Sequence, residues 1–291
     1  MDERDCKQLL KDVDIIILTP DKAREFLASQ RENRRMKNAN EAKLVNDMAS
    51  DRFIYNGDPL RFDRHGRMGD GQHRCEACIK TGLEFPVLVV RNLPDEAFQT
   101  IDIGATRTAA DIFTFEGIQN ATIVTSSIRF YLALCNDGSG INDKGNGNLG
   151  VQAKNCKNTF SNAQILEEYN KNKDLWNEVA SKANAMCERK LLTSSNIGGL
   201  LFYLIKEKNH PEERVYTFMK QLNGKRDSEY DIINQMRDIL IENKNRKDNK
   251  KRYSGSKIMG LLAKAWNTYV SGRELKQLRY NKDIEGYIAF I

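Results

Sequence analysis

The stretch Asp70-Gly71-Gln72-His73-Arg74 gathers the residue types that handle a negatively charged oxygen. Glycine lets the main chain approach a ligand closely. If a helix starts at Gln72, its first N–H groups and its dipole both favour an anion. Arg74 adds a planar fork suited to phosphate oxygens, and His73 adds a donor whose charge responds to pH. Two basic side chains in the first turn oppose the helix dipole, and a bound phosphate would account for them. The same residues also read as a surface arginine and a hydrogen-bonded histidine flanking a turn, with Asp70 either orienting His73 or serving as a plain turn aspartate. Just beyond, Cys75 and Cys78 share a helical face, which suits two small buried thiols better than a metal set that lacks its other ligands. A second chemical feature is the run NKNRKDNKKRYSGSK at 243–257, where Lys244, Arg246, Lys247, Lys250, Lys251, Arg252 and Lys257 face only Asp248. It suits sequence-independent contact with nucleic-acid phosphates, and reads otherwise as a solvated loop between helices.

Alternating strands and helices must position the first of these features. VDIIILT (13–19) is expected as a short buried strand, rich in β-branched residues. Thr19-Pro20 supplies a cap and a first-turn proline for the helix DKAREFLASQ. A helix around NANEAKLVNDMAS follows. PLRFD and RMG then form two strands joined by Arg64-His65-Gly66. QHRCEACIKTG is a helix closed by Gly82, and LEFPVLVVRN is a strand. LPDEAFQTIDIG and TRTAADIFTFEG are read as short helical pieces. From 119 onward the pattern is mainly helical: ATIVTSSIRFYLALC, SNAQILEEY with Ser161 and Gln164 at capping-box spacing, SNIGGLLFYLIKEK, PEERVYTFMKQLNG, DSEYDIINQMRDILIENK and KIMGLLAKAWNTYVSG. Ile232, Ile233, Met236, Ile239 and Leu240 repeat along one helical face, while Trp266 and Tyr269 fall with the core positions of the last helix. A stretch rich in Asn and Gly at about 136–160 is expected to be a mobile surface loop.

The chain has 291 residues, 40% hydrophobic and 30% charged, which suits one large soluble domain or two modest ones. No apolar run approaches the roughly 18 residues that a membrane helix needs, and MDERDCKQLLKD lacks the apolar centre of a secretory signal. Six cysteines without scaffold spacing favour a reduced, cytoplasmic setting. Residues 1–118 hold 18 Lys+Arg against 21 Asp+Glu, and 119–291 hold 28 against 19. That split points to a basic rear half able to meet a polyanion.

DGQHR, followed by a helix and the apolar strand FPVLVV, resembles the signature of the ParB/sulfiredoxin superfamily. With TIDIGATRTAAD at 100–111 and KAWNTYVSGRELKQLR at 264–279, nearly the whole chain resembles an uncharacterised branch found largely in phages and mobile elements. The resemblance implies a compact α/β domain that binds a nucleoside triphosphate, CTP or ATP, at this turn. Superfamily members include DNA-segregation CTPases, sulfiredoxins, an amino-acid kinase and nucleases. It maps Gly71, His73 and Arg74 onto the Gly-x-His-Arg of sulfiredoxin and puts Gln72 where the catalytic cysteine stands, so sulfinic-acid reduction is not expected. The ParB Glu-Asn-x-x-Arg element falls on Ile103-Gly104-Ala105-Thr106-Arg107, keeping the arginine and losing the other two. Arg107 thereby becomes a second phosphate clamp. Thr106 and Thr108, which flank it, would cap the next helix while reaching phosphate. Asp102 becomes a Mg²⁺ ligand or a base, and reads equally as a helix cap or turn residue.

The expectation is therefore an α+β protein with a phosphate-binding ParB/sulfiredoxin-like domain at 1–118 and a helical, basic domain at 119–291. Gly71, Gln72, His73, Arg74, Thr106 and Arg107 would hold nucleotide or nucleic-acid phosphates. As an enzyme, with Asp102 and His73 as catalytic groups, the chain would perform phosphoryl transfer or phosphodiester hydrolysis. The alternative is a non-catalytic DNA-binding or regulatory protein. Nucleotide and DNA are the expected partners, with no membrane, and a homo-oligomer stays open.

Overall fold

The computed structural model describes residues 12–30, 38–99, 101, 107–136, 160–224, 228–248 and 252–291. The expected loop at about 136–160 falls almost wholly outside them, as do Asp102, Thr106, Lys250 and Lys251. The chain divides into two compact units, 1–107 and 108–291. This division lies ahead of position 118 because the helix at 109–115 shares the apolar core of the second unit through Ala109 and Phe113.

The N-terminal unit is built on a mixed four-stranded sheet, in the order β1-β4-β2-β3. Its elements run β1 (Val13–Leu18), α1 (Pro20–Ala28), α2 (Asn38–Ala49), β2 (Pro59–Asp63), β3 (Met68–Asp70), α3 (Gln72–Thr81) and β4 (Phe85–Leu93), followed by a 3₁₀ turn (Asp95–Gln99). β1 pairs antiparallel with β4, β2 pairs parallel with β4, and β2 and β3 form a hairpin. One face of the sheet carries Leu18, Leu60, Phe62, Met68, Phe85, Val87 and Val89 into a core closed by Ala23 of α1, Met48 of α2 and Cys75, Ala77 and Cys78 of α3.

β1 departs from the expectation of a buried strand. It lies at the rim of the sheet, and Val13, Ile15 and Ile17 on its outer face are 42%, 63% and 50% exposed. A continuous apolar run usually marks a strand covered on both faces, and here one face is covered. Two polar side chains stand at the rim itself. The Ile15 N–H donates to Asp14 Oδ1 at 2.8 Å, and Lys22 Nζ lies 3.5 Å from the Ile17 carbonyl oxygen.

The C-terminal unit is helical, and with the sheet of the first it makes the chain α+β, the class expected. It contains α4 (Ala109–Phe115), α5 (Ala121–Cys135), α6 (Asn162–Lys171), α7 (Lys173–Met186), α8 (Ser194–Phe202), a π-helical turn (Tyr203–Glu207), α9 (Glu212–Asn223), α10 (Asp231–Asn245), α11 (Gly255–Ser271) and the short α12 (Lys282–Glu285). Thr108 with Asp111, and Ser161 with Gln164, close reciprocal capping boxes on α4 and α6. α8 lies close against α5 because Gly198 and Gly199 face Ser127 and Phe130; an added Cβ at Gly198 would stand 2.4 Å from Ser127 Oγ. Trp176 stacks on Phe202 at 3.6 Å. Ile232, Ile233, Met236 and Leu240 are buried along one face of α10, and Trp266 is fully buried in α11. No helix among the described residues is long and apolar enough to cross a membrane.

The two faces of β1 should answer differently to substitution. Leu18, fully buried, should cost about 2–5 kcal/mol when changed to Ala. Ile15→Thr, on the exposed face, should stay within about 0.5 kcal/mol of wild type. Chemical denaturation of both variants checks this.

Candidate functional site

The site is assembled from the β2–β3 hairpin and the start of α3. The hairpin turn is organised by Asp63, whose side chain is fully buried. Its Oδ1 accepts the N–H groups of His65 at 2.8 Å and Arg67 at 2.9 Å, and its Oδ2 takes Arg67 Nε at 2.8 Å. Burial alone pushes this carboxyl up, but the Arg67 and His65 amides and the Arg67 guanidinium outweigh it and hold the group below the usual carboxylate range. The register then sets Arg61 opposite Asp70.

Gly71 joins β3 to α3 with φ +107°, a conformation that favours glycine. It also lies against Leu60, where an added Cβ would come within 2.2 Å of Leu60 Cδ2. No side chain caps α3 and no carboxylate stands in its first turn. Gly71 O accepts the N–H groups of Arg74 and Cys75, at 3.0 and 3.2 Å. The amides of Gln72 and His73 come before them, among the donors that a helix start leaves without an intrahelical acceptor.

The side chains around this turn divide into those held and those not. Arg74 reaches back across β2, donating from Nη2 to the Pro59 carbonyl at 2.7 Å and from Nη1 to the Asp58 carbonyl. Its Nη2 also lies 3.7 Å from Asp70 Oδ2, and Asp70 pairs in turn with Arg61. The expected orientation of His73 by Asp70 is therefore replaced by an Arg61–Asp70–Arg74 ion triad. Gln72 Nε2 donates to Gln30 Oε1 at 2.8 Å. His73 is half-buried, and its Nδ1 is buried with no hydrogen-bond partner. Cys75 and Cys78 are core thiols: burial pushes Cys75 up to about 12, and Cys78 Sγ donates to the Leu83 carbonyl at 3.1 Å. Among the described residues no three His, Cys, Asp or Glu side chains are grouped to hold a metal ion.

Arg107 is exposed at the end of the N-terminal unit, and Thr108 caps α4. In the C-terminal unit the basic run is partly structural. Arg252 closes the end of α10, donating from Nε to Arg246 O at 3.1 Å and from Nη2 to Lys244 O at 3.2 Å. Lys244 Nζ donates to the Arg189 carbonyl at 3.0 Å. Arg246 pairs with Glu242 at 2.7 Å and lies 4.5 Å from the Tyr253 ring centroid, while Lys257 Nζ lies 4.1 Å from the same centroid. Lys247 is exposed. Arg61 is the member of the site that sequence reasoning missed. Its signal was the short hairpin, whose pairing sets opposite charges across from each other.

Among solved structures, the chain is similar to the C2221 crystal form of a Pnob8-like ParB-N domain, with 17% identity over 87% of this chain and 97% of that one, at a TM-score of 0.21. No family model and no curated protein matches the chain.

Two stability effects follow from the ties at this site. Arg74→Ala should lower stability by about 2 kcal/mol without any ligand, since two main-chain carbonyls lose a charged donor. The depressed Asp63 carboxyl contributes stability that is present above its unfolded value near 3.8 and lost as pH falls through its lower folded value. Asp63→Asn should therefore flatten the acid limb of a stability-against-pH series, read by urea denaturation.

Proposed function

We propose that the chain is a phosphate-binding protein whose N-terminal unit docks a phosphate of a nucleotide or nucleic acid on the start of α3. The observation that carries this reading is the orphaned Nδ1 of His73 beside a helix start with neither a capping side chain nor a carboxylate in its first turn. Helix-start amides and the helix dipole favour a negative group there. Gly71 keeps the main chain low against Leu60, and Gln72 and His73 stand in the first turn. Arg74 acts through position: tied to Asp58 and Pro59, it fixes the turn and adds charge beside Asp70. In the C-terminal unit, Lys244, Arg246, Lys247 and Arg252 supply a basic surface for nucleic-acid backbone, with Lys250 and Lys251 in the same run. The carbonyl hydrogen bonds of Lys244 and Arg252 leave their charges in place and Lys247 is exposed, while Glu242 offsets the charge of Arg246, so attraction of a polyanion would persist and weaken with salt.

The test sets affinity against stability. Gln72→Glu places a carboxylate in the first turn of α3, which favours the helix by about 0.3–1 kcal/mol while repelling a phosphate. Binding of CTP, ATP, GTP and short duplex DNA, with and without Mg²⁺, should weaken by about tenfold or more in this variant, while Tm holds or rises. Wild-type chain that binds none of these, or unchanged affinity in Gln72→Glu, overturns the reading. Nucleotide or DNA hydrolysis that disappears in Asp102→Asn replaces it with a catalytic one.

A further inference from the structure

Helix α11 ends at Gly272, whose φ of +64° turns the chain out of the helix. The segment that follows, 273–280, is neither helix nor strand, and one side chain of α10 holds it. Gln235 Nε2 donates to the Leu275 carbonyl at 3.1 Å, and Gln235 Oε1 accepts the Leu278 N–H at 2.6 Å. Leu278 and Tyr280 are buried, and Leu275 packs against the same core. With these side chains turned inward, Arg273, Lys276 and Arg279 are exposed, at every third position. Among the described residues none of the three forms an ion pair or a hydrogen bond. The run at 244–252 differs, since Arg246 pairs with Glu242 while Lys244 and Arg252 donate to carbonyls.

An aromatic side chain stands beside this segment. Tyr230, the residue before α10, is 40% exposed, and its ring meets that of Tyr269, in the last turn of α11, edge to face at 4.9 Å. Behind Tyr269 lie Phe218 and Trp266, with centroids 5.2 and 5.8 Å away, which makes Tyr230 the outermost ring of the cluster. Among the described residues no cation lies over the Tyr230 ring, whereas Arg246 and Lys257 crowd that of Tyr253. Arg214 of α9 adds its charge near the Tyr269 hydroxyl. The acids nearest in sequence are Glu229, Asp231 and Glu274, and Asp231 Oδ2 already accepts from Gln235 Nε2 at 2.7 Å. Arg214, Arg273, Lys276 and Arg279 outnumber them, so the balance here is positive.

Exposed cations beside an accessible ring are what a single nucleic-acid strand requires, because its phosphates are charged and its unpaired bases have free π-faces. A duplex keeps its bases stacked on one another and would leave the ring idle. We infer that Tyr230, Arg273, Lys276 and Arg279 form a surface for single-stranded nucleic acid, with one base stacked on Tyr230 and neighbouring phosphates on the cations. The ring accepts any base, so the surface is not selective for sequence. It lies at the start of α10, roughly 20 Å along that helix from the run at 244–252, and does not rest on the phosphate reading of the α3 start.

The probe is a fluorescein-labelled oligothymidylate of about twelve nucleotides, long enough for one such site, titrated by anisotropy against the whole chain. Arg273→Ala, Lys276→Ala and Arg279→Ala together should reduce the slope of log affinity against log salt by about 2, at about 0.7 for each phosphate contact. Tyr230→Ala should weaken binding about fivefold or more at constant slope, and Tyr230→Phe, which keeps the ring, should bind as wild type does. Should Tyr230→Ala fail to fold by circular dichroism, Tyr230→Leu takes its place with the same expected loss. Oligothymidylate ignored by wild type, or binding indifferent to the triple substitution or to loss of the ring, overturns the inference. A duplex of equal length bound as tightly, and lost to the same triple substitution, overturns it in favour of charge alone. Polyglutamate that competes as well as the oligonucleotide overturns it in favour of an acidic protein partner. Affinity lost in Gln72→Glu and kept in the triple variant belongs to the α3 start and likewise overturns it.

Discussion

The tie between the Arg74 guanidinium and the carbonyl oxygens of Asp58 and Pro59 is the constraint from which the N-terminal unit takes its shape around the site. It joins the first turn of α3 to the first residue of β2 and the residue before it, across the place where Gly71 and Leu60 are in contact. Neither partner can be enlarged freely, because a Cβ on Gly71 would displace Leu60, and Leu60 is itself fully buried. The turn has no room for a larger side chain at that point. Its electrostatics follow from the same tie, since bringing Arg74 back over β2 sets it beside Asp70, already opposite Arg61. One carboxylate between two guanidinium groups leaves a local excess of positive charge next to the helix start.

The C-terminal unit uses cations in a comparable structural way. Arg252 satisfies two carbonyls at the end of α10, where a helix leaves acceptors without partners and its dipole favours positive charge. Arg246 and Lys257 both lie over the Tyr253 ring, and Arg246 also donates to its hydroxyl at 3.2 Å, so charges crowd the ring on which a base would stack. Attraction at this surface would then be by charge alone, which suits a backbone more than a base sequence.

Much of the fold was legible, and the places where reading stopped have physical causes. Capping pairs such as Ser161–Gln164 act over three residues, so the sequence displays them directly. The apolar face of α10 was visible because a helix repeats its pattern several times. β1 was misjudged because an unbroken apolar run records what a strand can tolerate on each face, not which faces are covered. At the site, Gly71, Gln72, His73 and Arg74 were recognisable as a group, but where Arg74 points was not. Its acceptors are main-chain carbonyls some fifteen residues earlier, and any sequence would provide carbonyls there. Arg61 stayed hidden for a related reason, since its importance comes from register. The seating of 286–291 rests on Asn267 and His210, unremarkable residues that tertiary structure brings to one backbone.

At the rim of the sheet, the side chains of Asp14 and Lys22 occupy main-chain groups of Ile15 and Ile17 that a visiting strand would need. Such a visitor would have to break an acid–amide bond and move an ammonium before forming its first ladder rung. Three exposed aliphatic side chains are thus carried on a strand that discourages stacking into fibrils. Contact with that face can come from a surface laid across it, and the sheet itself does not lengthen on this side.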